Sequence, residues 1–225
     1  RNRRCLLLSP TASGKSLIIY ALARYYEGLK TLIIVPTTSL VSQLYKDFDQ
    51  YGSNEGWESK RHVHYIMSGR DKQSDMPITI STWQSLYKMP KKYFAQYDVV
   101  IGDECHLFKA KSLTSIMTKL FNAKYRFGTT GTLDDTQTHQ LVLEGLFGKV
   151  KKVTTTKELI DKKQLAEFKI KAITLHHPIE SARELSRKKY QDEVDFLVSN
   201  SKRNNFMRNL AISLNGNTLV LFQYV

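Results

Sequence analysis

Leu6-Leu7-Leu8-Ser9-Pro10-Thr11-Ala12-Ser13-Gly14-Lys15-Ser16 is the stretch from which the rest of the chain is read. An apolar run ends in small residues, Gly-Lys-Ser follows, and a helical pattern begins at once. That order predicts a buried strand, a tight turn and a helix N-terminus, where backbone N–H groups and the helix dipole converge on a polyanion. On this reading Thr11, Ser13 and Gly14 form the cradle. Lys15 adds a point charge for β- and γ-phosphates, and Ser16 a hydroxyl for Mg²⁺. Phosphate loops of this type usually open with Gly where this chain has Ser9. A polar strand-to-helix turn with a surface lysine is the competing reading.

Outward from this stretch, apolar runs alternate with helical patterns, as in a parallel sheet covered by helices. Strands are expected at Arg4–Leu8, Thr31–Val35, His62–Met67, Pro77–Ser81, Tyr97–Asp103 and Tyr125–Thr129. Helices are expected over Lys15–Tyr26, stopped by Gly28, and over Ser39–Tyr51, Trp83–Tyr87, Ser112–Phe121 and Thr136–Leu146. Within Ser39–Tyr51, Leu40, Val41, Leu44, Tyr45 and Phe48 recur at helical spacing. After Gly148 the texture changes. Lys151–Lys163 is basic and threonine-rich, Phe168–Leu175 alternates like a strand with one solvated face, and Ser181–Leu214 is mostly helical, broken near Ser199-Asn200-Ser201. A new strand is expected from Thr218. These shifts put a domain boundary near residue 163, dividing the chain into 1–163 and 164–225. The chain opens at Arg1 and stops inside the apolar run Leu219–Val225, so it is read as a piece of a longer protein.

The 225 residues suffice for one large or two modest cores, and the 41% apolar content is ordinary for a globular protein. The charge is not ordinary: 34 Lys+Arg against 21 Asp+Glu give +13. Such a basic chain points first to nucleic acid and second to a membrane surface or ribosome, with a solvated basic face as the plain alternative. Lys151-Lys152, Lys162-Lys163 and Arg187-Lys188-Lys189 fit either role. Two cysteines, Cys5 and Cys105, exclude a disulfide framework and a cysteine metal cluster, and they suit a reducing cytoplasm. No apolar stretch is long enough to span a membrane. His62, His64, His176 and His177 lack partners at metal-ligand spacing and are read as surface or core residues. Trp83 is read as packing on the sheet in preference to stacking on a base.

A second stretch carries chemistry: Val99-Val100-Ile101-Gly102-Asp103-Glu104-Cys105-His106. A buried strand ending in two adjacent acids is what a nucleotide hydrolase needs opposite its phosphate loop. The first carboxylate, Asp103, holds Mg²⁺; the second, Glu104, orients and deprotonates the attacking water. Alone, the pair reads equally as a strand end with two solvated acids. Downstream of Gly14-Lys15-Ser16, and in the expected order, the hydrolase reading prevails.

Asp103-Glu104-Cys105-His106 resembles the Asp-Glu-x-His box of superfamily 2 helicases, and the other landmarks follow suit. Ser9–Ser16 resembles motif I, Pro36-Thr37 motif Ia, Ser81-Thr82-Trp83-Gln84 the motif Ib/Ic region, and Thr130-Gly131-Thr132 motif III. The resemblance covers nearly the whole chain. It implies an α/β fold, a RecA-like parallel sheet with helices on both faces, plus the beginning of a second RecA-like domain. It implies ATP and Mg²⁺ as cofactors, Lys15 and Glu104 as catalytic residues, and His106, Thr130 and Thr132 as the coupling between the ATP site and the nucleic-acid groove. Pro36, Thr37, Gly69, Thr82 and Gln84 would lie along the nucleic-acid backbone. The strand carrying Thr130 would sit between the Lys15 and Asp103 strands. The family's arginine-bearing motif VI is absent from this chain; an arginine finger supplies about 10³–10⁵ in turnover. The chain alone is therefore expected to bind nucleotide better than it hydrolyses it.

The function so implied is an ATP-dependent DNA helicase or translocase motor acting on branched or recombination and repair intermediates. Its partner is single-stranded or branched DNA, with RNA or an RNA–DNA hybrid as the other option, and it works in the cytoplasm, the host's if phage-encoded. A restriction-complex motor subunit or an RNA helicase is the enzymatic alternative. A nucleic-acid-binding module that no longer turns over ATP is the non-enzymatic one, suggested by Ser9 and Ala12.

Overall fold

The computed structural model describes residues 3–222, apart from 68, 70, 108–109, 134–136 and 168. It divides into two units, Arg1–Glu167 and Phe168–Val225. The first unit holds strands β1 (Arg4–Leu8), β2 (Thr31–Val35), β3 (Val63–Ile66), β4 (Ile78–Thr82), β5 (Val99–Gly102), β6 (Tyr125–Thr130) and β7 (Val150–Lys152). Its helices are α1 (Lys15–Tyr25), α2 (Thr38–Gly52), α3 (Ser59–His62), α4 (Trp83–Leu86), α5 (Lys91–Phe94), α6 (Ala110–Lys119), α7 (Gln137–Phe147) and α8 (Thr156–Asp161). Among the described residues the strands form one parallel sheet in the order β3-β4-β2-β5-β6-β1-β7.

Every residue of β2, β4 and β5 is buried, which is why these segments read as unbroken apolar or threonine-rich runs. Alternate side chains go to opposite faces. Ile33, Val35, Val99 and Ile101 meet Ile19, Tyr20 and Ala23 of α1 and Val41, Leu44 and Phe48 of α2. Leu32, Ile34 and Val100 meet Leu86, Leu113, Ile116, Leu143 and Phe147 from α4, α6 and α7. Burying one such aliphatic side chain contributes about 1.5–3 kcal/mol, so the two helical layers hold the sheet from both sides. Trp83 packs partly buried against this second cluster, as expected.

Two glycines let α7 come close. Gly102 of β5 and Gly128 of β6 are cross-strand partners, and Gly128 also pairs with Leu6 of β1. A Cβ on Gly128 would stand 2.7 Å from Leu6 Cδ1, 3.0 Å from the Phe147 ring and 3.1 Å from Cys105 Sγ. One on Gly102 would stand 2.9 Å from Cys105 Sγ. Phe147 and Cys105 fill this slot, and burial pushes the Cys105 thiol well above its ordinary range, so it stays protonated.

The strand and helix positions in the first unit follow the sequence reading to within a few residues. The expected start of one helix at Thr136 lies outside the described residues. The basic stretch after Gly148 contains the three-residue β7 and the six-residue α8, the latter closed by a capping box in which Thr155 and Glu158 satisfy each other's backbone N–H groups.

The second unit holds α9 (Ile179–Leu185), α10 (Tyr190–Ser199) and α11 (Ser201–Ser213). Asn200 caps α11 by accepting from Arg203 N at 3.0 Å, which accounts for the expected break near Ser199. None of its described residues is buried. The strands expected at Phe168–Leu175 and from Thr218 are absent at 169–175 and 218–222; Phe168 and residues 223–225 lie outside the described residues. An alternating segment becomes a strand only against a partner ladder, and the described part of this unit offers none.

The glycine slot yields a stability test. Gly128→Ala should destabilise the first unit by about 1–3 kcal/mol through overpacking, read as a lower urea midpoint with an unchanged slope.

Candidate active site

The loop after β1 turns on two left-handed residues, Ala12 (φ 61°) and Gly14 (φ 81°). Alternating backbone handedness of this kind turns successive N–H groups into a concavity. Gly14 is also the N-cap of α1; no side chain caps that helix and its first turn carries no acid, so its N-terminal donors and dipole are left for an external anion. Ser9, at the position where glycine is usual, is fully buried and does not enter the cleft. Its hydroxyl meets that of Ser13 at 2.5 Å, and its N–H donates to Thr130 O at 2.9 Å. Ser13 is turned inward as well, its hydroxyl donating to Pro10 O at 2.5 Å. Among the expected cradle residues, Thr11, Gly14, Lys15 and Ser16 line the cleft and Ser13 does not.

That cleft measures about 490 Å³ and is completed by Asp103 and Glu104 from the end of β5 and by Leu40, Gln43, Leu44 and Asp47 of α2. Lys15 Nζ donates to Glu104 Oε1 at 2.5 Å, a contact that joins residues 89 apart in sequence. The second oxygen, Glu104 Oε2, lies 3.4 Å from Gly131 N and 3.4 Å from His106 Nδ1. Glu104 itself has φ 47°, a left-handed conformation that costs a non-glycine residue about 1–2 kcal/mol. Its carbonyl accepts from Leu107 N at 2.9 Å as the chain enters a short 3-10 turn.

Asp103 is held by one oxygen only. Oδ1 accepts from Thr129 Oγ1 at 2.5 Å and from Glu104 N at 2.9 Å, while Oδ2 takes no described hydrogen bond. Burial pushes the Asp103 carboxyl above the ordinary carboxylate range, and the Glu104 charge adds to the rise; the Thr129 hydroxyl and the Glu104 N–H oppose it. A partly buried carboxylate with one open oxygen, on the same cleft as the Ser16 hydroxyl, fits the donor set a magnesium ion takes. Thr129 was not singled out from sequence. Its signal lies in register: Gly102 pairs with Gly128, so the residues that follow, Asp103 and Thr129, are also opposite.

His106 and Thr130 are in direct contact, Nδ1 to Oγ1 at 2.7 Å. Thr130 Oγ1 donates to Thr132 O at 2.7 Å, so it accepts from His106, whose proton is therefore on Nδ1. Thr132 takes part through its carbonyl, its side chain being exposed. β6 lies between β5 and β1, as the resemblance implies.

The residues expected beside nucleic acid follow β2, β3 and β4, three adjacent strands. Thr37 caps α2, accepting from Leu40 N at 3.3 Å, and Thr82 caps α4, accepting from Ser85 N at 3.4 Å. Gln84 Nε2 donates to Pro36 O at 3.2 Å and ties the two loops together. Thr37, Gly69 and Gln84 are exposed; Pro36 and Thr82 are buried and shape the loops from within. Of the histidines, His62 stacks on Trp57, His64 Nε2 meets Asp71 O at 2.8 Å, and His177 meets the Phe196 ring. Among the described residues no group of three His, Cys, Asp or Glu side chains is placed to hold a metal, and no helix is long and apolar enough to cross a membrane.

The Asp103 environment predicts a gain on neutralising it. Its raised folded-state pKa means that the charged form costs stability, fully above that pKa and not at all below the ordinary Asp value of about 3.9. Asp103→Asn keeps an Oδ1 for both donors and removes the charge. It should raise the melting temperature at neutral pH, by about 2–4 °C per kcal/mol relieved, with the gain shrinking on acidification.

Residues 1–135 match the family model described as Type III restriction enzyme, res subunit. The ATP-dependent DNA helicase uvsW of Enterobacteria phage T4 is 40% identical over 235 aligned residues, taking in 100% of this chain and 46% of the relative. The chain thus spans about half the length of that curated relative. The crystal structure of T4 UvsW aligns at 38% identity and a TM-score of 0.60, over 94% of this chain and 42% of that one. A hypothetical ATP-dependent RNA helicase from Sulfolobus tokodaii, 16% identical, shares the fold at a TM-score of 0.53, over 67% of this chain and 48% of that one. With the phosphate loop and the Asp-Glu-x-His box joined across one cleft, the chain belongs to the Type III restriction enzyme, res subunit family of superfamily 2 helicases.

Proposed function

We propose that this chain is the ATP-binding part of a DNA helicase or translocase motor that works on branched or recombining DNA. The observation that carries the reading is the contact between Lys15 and Glu104, which brings the phosphate loop and the acidic strand end onto one cleft. ATP is the substrate, its phosphates received by the N-terminus of α1. Lys15 then exchanges Glu104 for phosphate oxygens, and the freed Glu104 orients the attacking water and takes its proton. Ser16 and Asp103 would hold Mg²⁺, which when bound neutralises charge on the transferring phosphoryl group. Loss of the Lys15 partner frees Glu104 to lean on Gly131 N and His106, and through His106 on Thr130. That is the route by which the state of the cleft reaches the loop after β6.

Nucleic acid would cross the loops after β2, β3 and β4, gripped by Thr37, Gly69 and Gln84 and by backbone N–H groups, with Pro36 and Thr82 setting the loop shape. Contacts of this kind hold phosphates without reading sequence, and the charge of +13 favours such a partner. DNA is preferred to RNA because the relative matched along the whole chain is a DNA helicase; its phage origin suggests the host cytoplasm as the place of action. We further propose that the first unit is one RecA-like domain and the second the N-terminal part of another. Two facts support this: none of the described residues of Phe168–Val225 is buried, and the relative is about twice as long.

In the intact protein, ATP turnover should rise when DNA is added. Lys15→Ala should abolish it, and Glu104→Gln should lower it about 10²–10⁴-fold while nucleotide still binds. Turnover indifferent to DNA would defeat the motor reading, and DNA binding without any nucleotide binding would leave only an inactive module. Affinity for single strands should fall with salt at a log–log slope of about −0.7 per phosphate contacted.

A further inference from the structure

The side chain of Ser16 has one described partner, and it belongs to another helix. Ser16 Oγ lies 2.9 Å from the hydroxyl of Tyr51, in the last turn of α2. A serine at the start of a helix has three staggered positions open to it and no carbonyl of a preceding helical turn to bond. Its hydroxyl direction is therefore set from outside. Tyr51 is well placed to set it. Its ring packs on Tyr20 at 5.6 Å, within the cluster of Phe48 and Trp57, so the phenol oxygen is held by aromatic packing rather than by solvent. Gln43, Asp47 and Tyr51 recur every fourth residue on one face of α2, and Gln43 and Asp47 line the cleft that Ser16 lines.

We propose that Tyr51 is a positioning residue for Ser16: its phenol oxygen accepts a hydrogen bond from the serine hydroxyl and leaves the serine lone pairs for a divalent cation bound with nucleotide. The chemistry is one of orientation. A hydroxyl ligates a cation through a lone pair, and an O–H turned into the cleft would oppose the cation with its own positive end. Tyr51 removes that orientation before nucleotide arrives. The inference rests on the nucleotide reading of this cleft and adds to it a residue from outside the phosphate loop.

The test is a Mg²⁺ titration of fluorescent ADP binding to the intact protein, with and without Tyr51→Phe, which removes one oxygen and keeps the ring. The Mg²⁺ concentration at half-saturation should rise about three- to tenfold, the range expected for losing one neutral hydrogen bond. Affinity for ADP in excess EDTA should not change. In a Ser16→Ala background, Tyr51→Phe should have no further effect on the Mg²⁺ midpoint. An unchanged midpoint, an equal loss of ADP affinity with and without Mg²⁺, or an undiminished effect in Ser16→Ala would each overturn the assignment. Wild-type protein that takes no ADP in either condition would instead refute the nucleotide reading itself.

Discussion

The parallel ladder of β5, β6 and β1 is the constraint on which the site depends. Gly128 faces Gly102 on one side and Leu6 on the other, so the three strands share one register; β1 and β6 end together at Leu8 and Thr130, two residues beyond the end of β5 at Gly102. The loops after β1 and β6 therefore start at one height, and Asp103 and Glu104, the two residues that follow β5, cover the two-residue difference. Parallel strands reach such alignment only through crossover helices, and α1 and α7 provide the packing that fixes it. The absence of side chains at Gly102 and Gly128 is part of the mechanism of assembly, because it lets Phe147 and Cys105 press onto the ladder at its most critical point.

The charges at the mouth of this ladder are arranged as a chain of substitutions. Lys15 is partnered by Glu104, Glu104 also touches Gly131 N and His106, and His106 donates a hydrogen bond to Thr130. Each group can exchange a neighbour without being left bare in a low-dielectric setting, which is the condition for moving charge cheaply near a buried site. Asp103 is the exception. Desolvation works against its charge, with Thr129 and one backbone N–H as its only described donors. A cation is the natural complement to such a group, in keeping with the proposed role of Asp103.

Much of this was legible in the amino-acid order. β2 and β5 announce themselves because strands buried on both faces are continuous apolar runs, and α2 because its apolar stripe recurs at helical spacing. Gly14-Lys15-Ser16 and Asp103-Glu104 stand out in short windows, and the structure brings them onto one cleft. What the order hides is long-range. Tyr51 and Thr129 act through partners 35 and 26 residues away, and nothing near them in sequence marks the pairing. β7 was invisible because three residues with two lysines carry no strand periodicity; it forms because β1 offers it an edge. The reverse holds at Phe168–Leu175, where a convincing alternation meets no ladder among the described residues. Ser9 shows a different limit: a departure from the usual glycine reads as a defect, yet its side chain is buried inside the loop, bonded to Ser13, and leaves the cleft untouched.

The same short β7 bears on how the sheet meets other molecules. It is the last strand of the order, only three residues long, and Lys151 and Lys152 are exposed along it. A foreign strand aligning there would find little ladder to join and two positive charges to desolvate. Edges of this kind discourage sheet-to-sheet growth, so part of the positive charge that suits a polyanionic partner also keeps the molecule from propagating its own sheet into an aggregate.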